Sequence, residues 1–94
     1  MPTLQIEHEV PNYEGWKKTF DSDPIFRKRL GAKRYKIYRV ANDQRIVIVE
    51  LDFENMENLQ LVLQALQNLW NNVQGTFVVT PKTRILELIE SKEL

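Results

Sequence analysis

An α+β fold in the order β-α-β-β-α-β is predicted by three observations in this sequence. The opening residues alternate strictly between apolar and polar side chains. Two further β-prone stretches sit back to back around a short polar turn. Two apolar stripes at helical spacing separate these strands from one another and from a last apolar stretch.

Residues 3–10 put Leu4, Ile6, His8 and Val10 on one side and Gln5, Glu7 and Glu9 on the other, the period of a half-buried strand. Pro11-Asn12 ends it, and Asn12 suits a helix N-cap. In the helix that follows, Tyr13, Trp16, Lys17 and Phe20 share one side. Gly15 weakens that helix by about 1 kcal/mol relative to alanine, so packing must hold it. Asp23-Pro24 opens a second short helix, with Ile25, Phe26 and Leu30 as its apolar residues and Gly31 as its stop. Strands are expected over Lys33–Val40 and Arg45–Phe53, joined by the polar turn Ala41-Asn42-Asp43-Gln44. A long helix runs from near Asn55 to about Val73. Its stripe is Met56, Leu59, Leu63, Leu66 and Trp70, widened by Val62, Leu69 and Val73. Asn71, Asn72 and Gly75 mark its end. Thr76–Val79 is β-prone but cut off by Pro81, which leaves it open between a strand and a packed loop. Thr83–Ile89 is the last strand. With antiparallel pairing and right-handed crossovers, this order gives the ferredoxin-like plan, a four-stranded antiparallel sheet backed by two helices on one face.

Ninety-four residues suit a single domain spanning 1–94. Thirteen Lys and Arg balance thirteen Asp and Glu, and a net charge of zero removes the basic excess that nucleic acid or an anionic membrane requires. No run approaches the roughly 18 apolar residues of a membrane span. Met1-Pro2-Thr3-Leu4-Gln5 lacks the regions of a signal peptide, so the expected address is cytoplasmic. The absence of cysteine excludes disulfides, thiolate zinc sites and a Cys nucleophile. One histidine and scattered carboxylates give no metal-ligand spacing, and no glycine-rich phosphate loop or Ser-His-Asp order is present. No cofactor is expected.

Two helices cover one face of a sheet, yet two strands are apolar on both. Val47, Val49, Leu51 and Phe53 oppose Ile46 and Ile48, and Leu86 and Leu88 oppose Ile85 and Ile89. A second copy meeting the first, open face to open face, would bury the surplus and form a dimeric α/β barrel. Glu50, beside Ile46 and Ile48, and Glu87, between Ile85 and Ile89, are then expected inside, with Arg34, Lys36 and Arg39 as partners. Cross-strand or intersubunit ion pairs are the expected role for these carboxylates, ahead of a catalytic acid.

The segment from Glu7 through Asp21 has a strand ending in His8-Glu9-Val10, then Asn12-Tyr13, Trp16-Lys17 and Phe20-Asp21. It resembles the opening of small dimeric α/β-barrel proteins, the superfamily of antibiotic-biosynthesis monooxygenases and related cyclase-like proteins. The likeness continues through Arg27 to Gly31, through Tyr35 and Arg39, and through Thr80-Pro81 to Arg84-Ile85. The resemblance implies the ferredoxin-like fold and a sheet-to-sheet homodimer. It implies a function less narrowly, since members oxidise polyphenols or quinols without a cofactor, degrade haem, or act as isomerases or dehydratases. Haem degraders use an Asn, a Trp and a haem-ligating His on helices around the pocket. Here the single histidine is on the first strand, which disfavours haem degradation. The cofactor-free oxygenases use aromatic and polar residues in a cleft between sheet and helices, a lining that Trp16, Tyr35, Tyr38 and Trp70 could supply.

His8 shares its side with Leu4, Ile6 and Val10 and should face the helices. There it is a candidate general base for a phenol or enol proton, or a buried histidine bonded to Tyr13 or to backbone. Trp16, Tyr13, Tyr35 and Trp70 are candidate ligand contacts, each with a purely structural role as the alternative. Tyr35 and Arg39 share one face of the second strand as candidates to orient a polar ligand group, with cross-strand contacts as the alternative. Arg27, Lys28 and Arg29 form a basic cluster that reads as a solvated face. The expected function is thus a small homodimeric barrel that binds an aromatic or hydrophobic molecule and turns it over without a cofactor. The alternative is a non-catalytic binding, regulatory or dimerisation module.

Overall fold

The structure is a computed structural model, and it describes residues 1–22, 29–73 and 79–94. The chain runs β1 (Pro2–Glu9), α1 (Tyr13–Ser22), β2 (Ala32–Val40), β3 (Asp43–Phe53), α2 (Met56–Val73) and β4 (Val79–Glu87). The strands form one antiparallel sheet in the order β2-β3-β1-β4. This is the predicted ferredoxin-like βαββαβ topology. The helix proposed to start at Asp23-Pro24 lies outside the described residues. Gly31, which follows it, has φ near 106°, a left-handed conformation that suits glycine.

Register fixes which side chains share a face. Leu4, Ile6 and His8 of β1 lie opposite Leu51, Val49 and Val47 of β3, and Tyr35, Ile37 and Arg39 of β2 lie opposite the same three. This face meets the helices. Leu4, Ile6, Val10, Trp16, Val47, Val49, Leu51, Phe53, Leu59 and Val62 form the buried core beneath them. Trp16 is the one core residue from α1, whereas α2 supplies Leu59 and Val62, backed by half-buried Leu63, Leu66 and Trp70. Met56, read from the sequence as part of the α2 stripe, is exposed at the helix's first turn. Both helices start on an asparagine cap. Asn12 Oδ1 accepts from the Gly15 N–H at 3.2 Å, and Asn55 Oδ1 accepts from the Asn58 N–H at 2.8 Å.

Strand boundaries differ most from the sequence reading at the β2–β3 turn and at both ends of the last strand. The β2–β3 turn is tighter than four residues, since Val40 already pairs with Asp43 and leaves Ala41-Asn42 at its tip. The last strand starts at Val79 and stops at Glu87, so Leu88 and Ile89 are exposed beyond it. Pro81 falls inside β4. Between the pairs Glu7–Lys82 and Glu9–Val79, β4 has Thr80 and Pro81 where β1 has His8 alone. Such a bulge on an edge strand tolerates a residue that has no N–H to donate. The faces of β4 are also opposite to the expectation. Ile85 pairs with Leu4 and Glu87 with Pro2, on the helix side, while Leu86 pairs with Thr3 on the open side. Glu87 is therefore not among the open-face carboxylates.

The open face is ordered in rows across the sheet. Arg34, Asp52, Thr3 and Leu86 make one row, and Lys36, Glu50, Gln5 and Arg84 the next. Tyr38, Ile48, Glu7 and Lys82 make the third. Thr3 Oγ1 donates to Asp52 at 2.6 Å, Arg34 Nε lies 3.3 Å from the other Asp52 oxygen, and Gln5 Nε2 donates to Glu50 at 3.1 Å. Glu50 and Asp52 thus serve as cross-strand partners. Arg39, expected beside Glu50, points the other way. It stands three residues from Lys36, and an odd spacing along a strand changes face.

Candidate ligand site between α1 and the sheet

His8 sits on the helix-facing side of β1, as the alternation predicts, and is 4% exposed. Its ring lies 5.3 Å from that of Trp16, tilted by 50°. Neither Nδ1 nor Nε2 has a hydrogen-bond partner among the described residues, so the expected bond to Tyr13 or to backbone does not form there. Burial pushes the imidazole pKa down to about 4. At neutral pH the ring is therefore uncharged and offers one N–H donor and one lone pair, both unused. A buried polar group left in this state costs about 1–3 kcal/mol, and folded proteins keep few of them.

Rings continue outward from His8. Trp16 stacks on Phe20 with centroids 5.2 Å apart, and Phe20 meets Tyr35 edge-on at 5.0 Å. Tyr13 lies 5.8 Å from Trp16, and the Arg39 guanidinium sits over the Tyr13 ring at 4.4 Å. The helical spacing of Tyr13, Trp16 and Phe20 aims these rings at the sheet, and Tyr35 and Arg39 rise to meet them from β2. The Cα atoms of α2 approach β1, β2 and β3, while α1 bridges to the sheet with side chains. The aromatic series leads from a buried histidine to Tyr35, which is 47% exposed on an edge strand.

Three of the candidate ligand contacts therefore gather around His8 or along the path from it: Trp16, Tyr13 and Tyr35. Trp70 does not join them. It packs half-buried against the core from the last turns of α2 and makes none of these ring contacts. Tyr38 lies opposite Ile48 on the open face, away from any cleft under the helices. Its spacing of three from Tyr35 places it there. Phe20, which had no ligand-binding role in the sequence reading, and Arg39, which shares the face of Tyr35 as expected for a residue that would orient a polar ligand group, stand beside these rings. The alternation of β2 carried that signal, because Arg39 shares parity with Tyr35. Arg27 and Lys28 of the basic cluster lie outside the described residues, and Arg29 is exposed. Among the described residues no three His, Asp or Glu side chains gather closely enough to hold a metal ion. No described helix is long and apolar enough to cross a membrane.

No protein-family model matches this sequence, and no curated protein matches it. Solved structures do. SnoaB, a cofactor-independent oxygenase from Streptomyces nogalater, superposes with a TM-score of 0.71 at 11% identity, over 96% of this chain and 94% of its own. A dimeric ferredoxin-like protein from an uncultured marine organism gives 0.65 at 11% identity, over the whole of both chains. A variant of MhuD, with two manganese protoporphyrin IX bound per active site, gives 0.66 at 11% identity over 99% of each chain. The fold is shared. At these identities the likeness extends to architecture, and it bears out the fold expected from the resemblance at Glu7–Asp21.

Proposed function

We propose that this protein binds a small aromatic or hydrophobic molecule between α1 and the sheet, with His8 at the inner end of the site. The observation that carries the reading is the buried imidazole whose two nitrogens lack partners among the described residues, beside the Trp16 ring. A ligand hydroxyl or carbonyl would satisfy it, and Trp16, Tyr13 and Tyr35 would supply the apolar wall. Trp70 is not placed in this wall.

His8 is also the proposed base in a cofactor-independent oxygenation or related enolisation. Its neutral form is present at physiological pH, as a base requires. A pKa near 4 leaves little drive to take a proton in the empty site. A phenolate or enolate forming beside the ring would raise that pKa by stabilising the imidazolium. The same low basicity favours a second reading, a binding module in which His8 only hydrogen-bonds the ligand. Oxygen uptake with a quinol and anthrone panel separates them. Turnover that falls in His8→Ala supports the base, and binding without turnover supports the module. If no panel compound binds, the site reading fails.

The chain is further proposed to act as a homodimer through the open face of the sheet. Tyr38, Ile46, Ile48 and Leu86 are apolar side chains there. The surrounding rows alternate positive and negative groups that a second copy can match. Zero net charge removes long-range repulsion between the copies. Light scattering should give twice the chain mass at micromolar concentration, and a monomer mass would overturn this assignment.

A further inference from the structure

Arg39 and His8 occupy one row of the sheet. His8 is opposite Val47 on β3, and Arg39 is opposite Val47 from the other side. All three side chains share the helix-facing surface, so the imidazole and guanidinium stems stand two strand spacings apart, about 9–10 Å, with Val47 as an apolar floor between them. The Tyr13 and Trp16 rings of α1 meet the same row, Trp16 against His8 and the Tyr13 face against Arg39. Both ends of the row are marked by backbone irregularity. The β4 bulge opposes His8, and the β2–β3 register slips immediately after Arg39. Irregularities of this kind re-aim side chains and are common beside binding sites.

The cations at this end of α1 differ in how they are occupied. The Lys17 ammonium reaches both carboxylate oxygens of Asp21, at 2.7 and 2.8 Å. Arg39 has no carboxylate partner among the described residues, and its interaction there is with a ring face. A tyrosine ring uses none of the five N–H groups of a guanidinium, whose planar fork fits a carboxylate in bidentate fashion. The row therefore offers a neutral hydrogen-bonding group deep inside, an apolar middle bordered by aromatic rings, and an uncommitted cation at its outer end.

The geometry points to an anionic aromatic ligand, one with a carboxylate at Arg39 and a phenolic or enolic hydroxyl at His8 on opposite ends of a flat apolar body. This rests on the ligand site proposed above and narrows its substrate class. A neutral hydrophobe would satisfy His8 and the rings but leave the Arg39 fork unused. A small carboxylate without an aromatic body would not span the row.

The test compares p-coumarate with p-coumaramide, which keeps the shape and the phenol but replaces the carboxylate with a neutral amide. Calorimetric titration of the full chain is expected to give p-coumarate an affinity about tenfold higher. Arg39→Gln should erase that difference by weakening p-coumarate alone, and Arg39→Lys should restore part of it. Rising salt should weaken p-coumarate and leave the amide unaffected. Equal affinities in the unmodified protein, or equal weakening of both compounds in Arg39→Gln, would overturn the anionic class while leaving the ligand site standing. If neither compound binds, the ligand site and this inference fail together. Circular dichroism of Arg39→Gln checks the fold, which an exposed edge-strand substitution should leave intact.

Discussion

Under α2 the layer between helix and sheet is apolar and closed. Leu59 and Val62 meet Leu4, Leu51 and Phe53, and all five are essentially inaccessible to water. Under α1 the same sheet face carries His8, Tyr35 and Arg39, and the helix answers with Tyr13, Trp16 and Phe20. One half satisfies itself by close packing. The other half keeps an imidazole without a hydrogen-bond partner among the described residues, and a path of rings to the surface. Apolar side chains complete their interactions by fitting together, whereas a buried polar atom stays incomplete until a directional partner arrives. The contrast separates the half of the layer that stabilises the molecule from the half proposed to bind a ligand.

The largest effect should come from damage to the closed half. Phe53→Ala is expected to cost about 3–5 kcal/mol in urea unfolding, a large part of a small domain's total stability. An equally large loss of ligand affinity in the folded variant would blur the division between the halves. Next in size is the response of the other half to acid. His8 titrates near 4 when folded against an ordinary value of 6.5. The unfolded chain thus binds the proton more tightly, and stability falls as pH drops from 6.5 towards 4. The loss is of order 3 kcal/mol and levels off below pH 4. His8→Leu should flatten that slope and leave stability at pH 7 equal or higher, since it removes an unsatisfied group, while ligand binding disappears.

A smaller cost is expected at Gly31. A Cβ there would meet the Asn58 side chain at 2.6–2.9 Å in a left-handed backbone conformation. Gly31→Ala should cost about 1–3 kcal/mol by thermal melting and should not change the spectroscopic environment of Trp16. The two helix caps provide the finest test. Asn12→Ala and Asn55→Ala should each cost about 1 kcal/mol, but only loss of the α1 cap should also change ligand affinity.

The alternation of β1 made most of this contrast legible, because it sends His8 to the same side as Leu4, Ile6 and Val10. The stripe of Tyr13, Trp16 and Phe20 identified the aromatic half in the same way. Which parity of β4 faces the helices was not legible. That depends on where the strand pairs, and two residues opposite His8 offset the register. Arg39 had two readings, beside Glu50 by charge and beside Tyr35 by the period of 2, and the structure obeys the period. Trp70 shows the limit of residue type as a guide: a tryptophan on a helix stripe fills core here and touches none of the rings around His8.

The two outer strands have a consequence for self-association. β2 carries Lys33, Arg34, Lys36 and Arg39, while β4 carries Lys82 and Arg84 and has a proline that cannot donate to a neighbouring strand. Adding the β2 edge of one molecule to the β4 edge of the next would set cations against cations along the new ladder. That is the contact by which sheets grow into fibres, and here both of its halves are blocked.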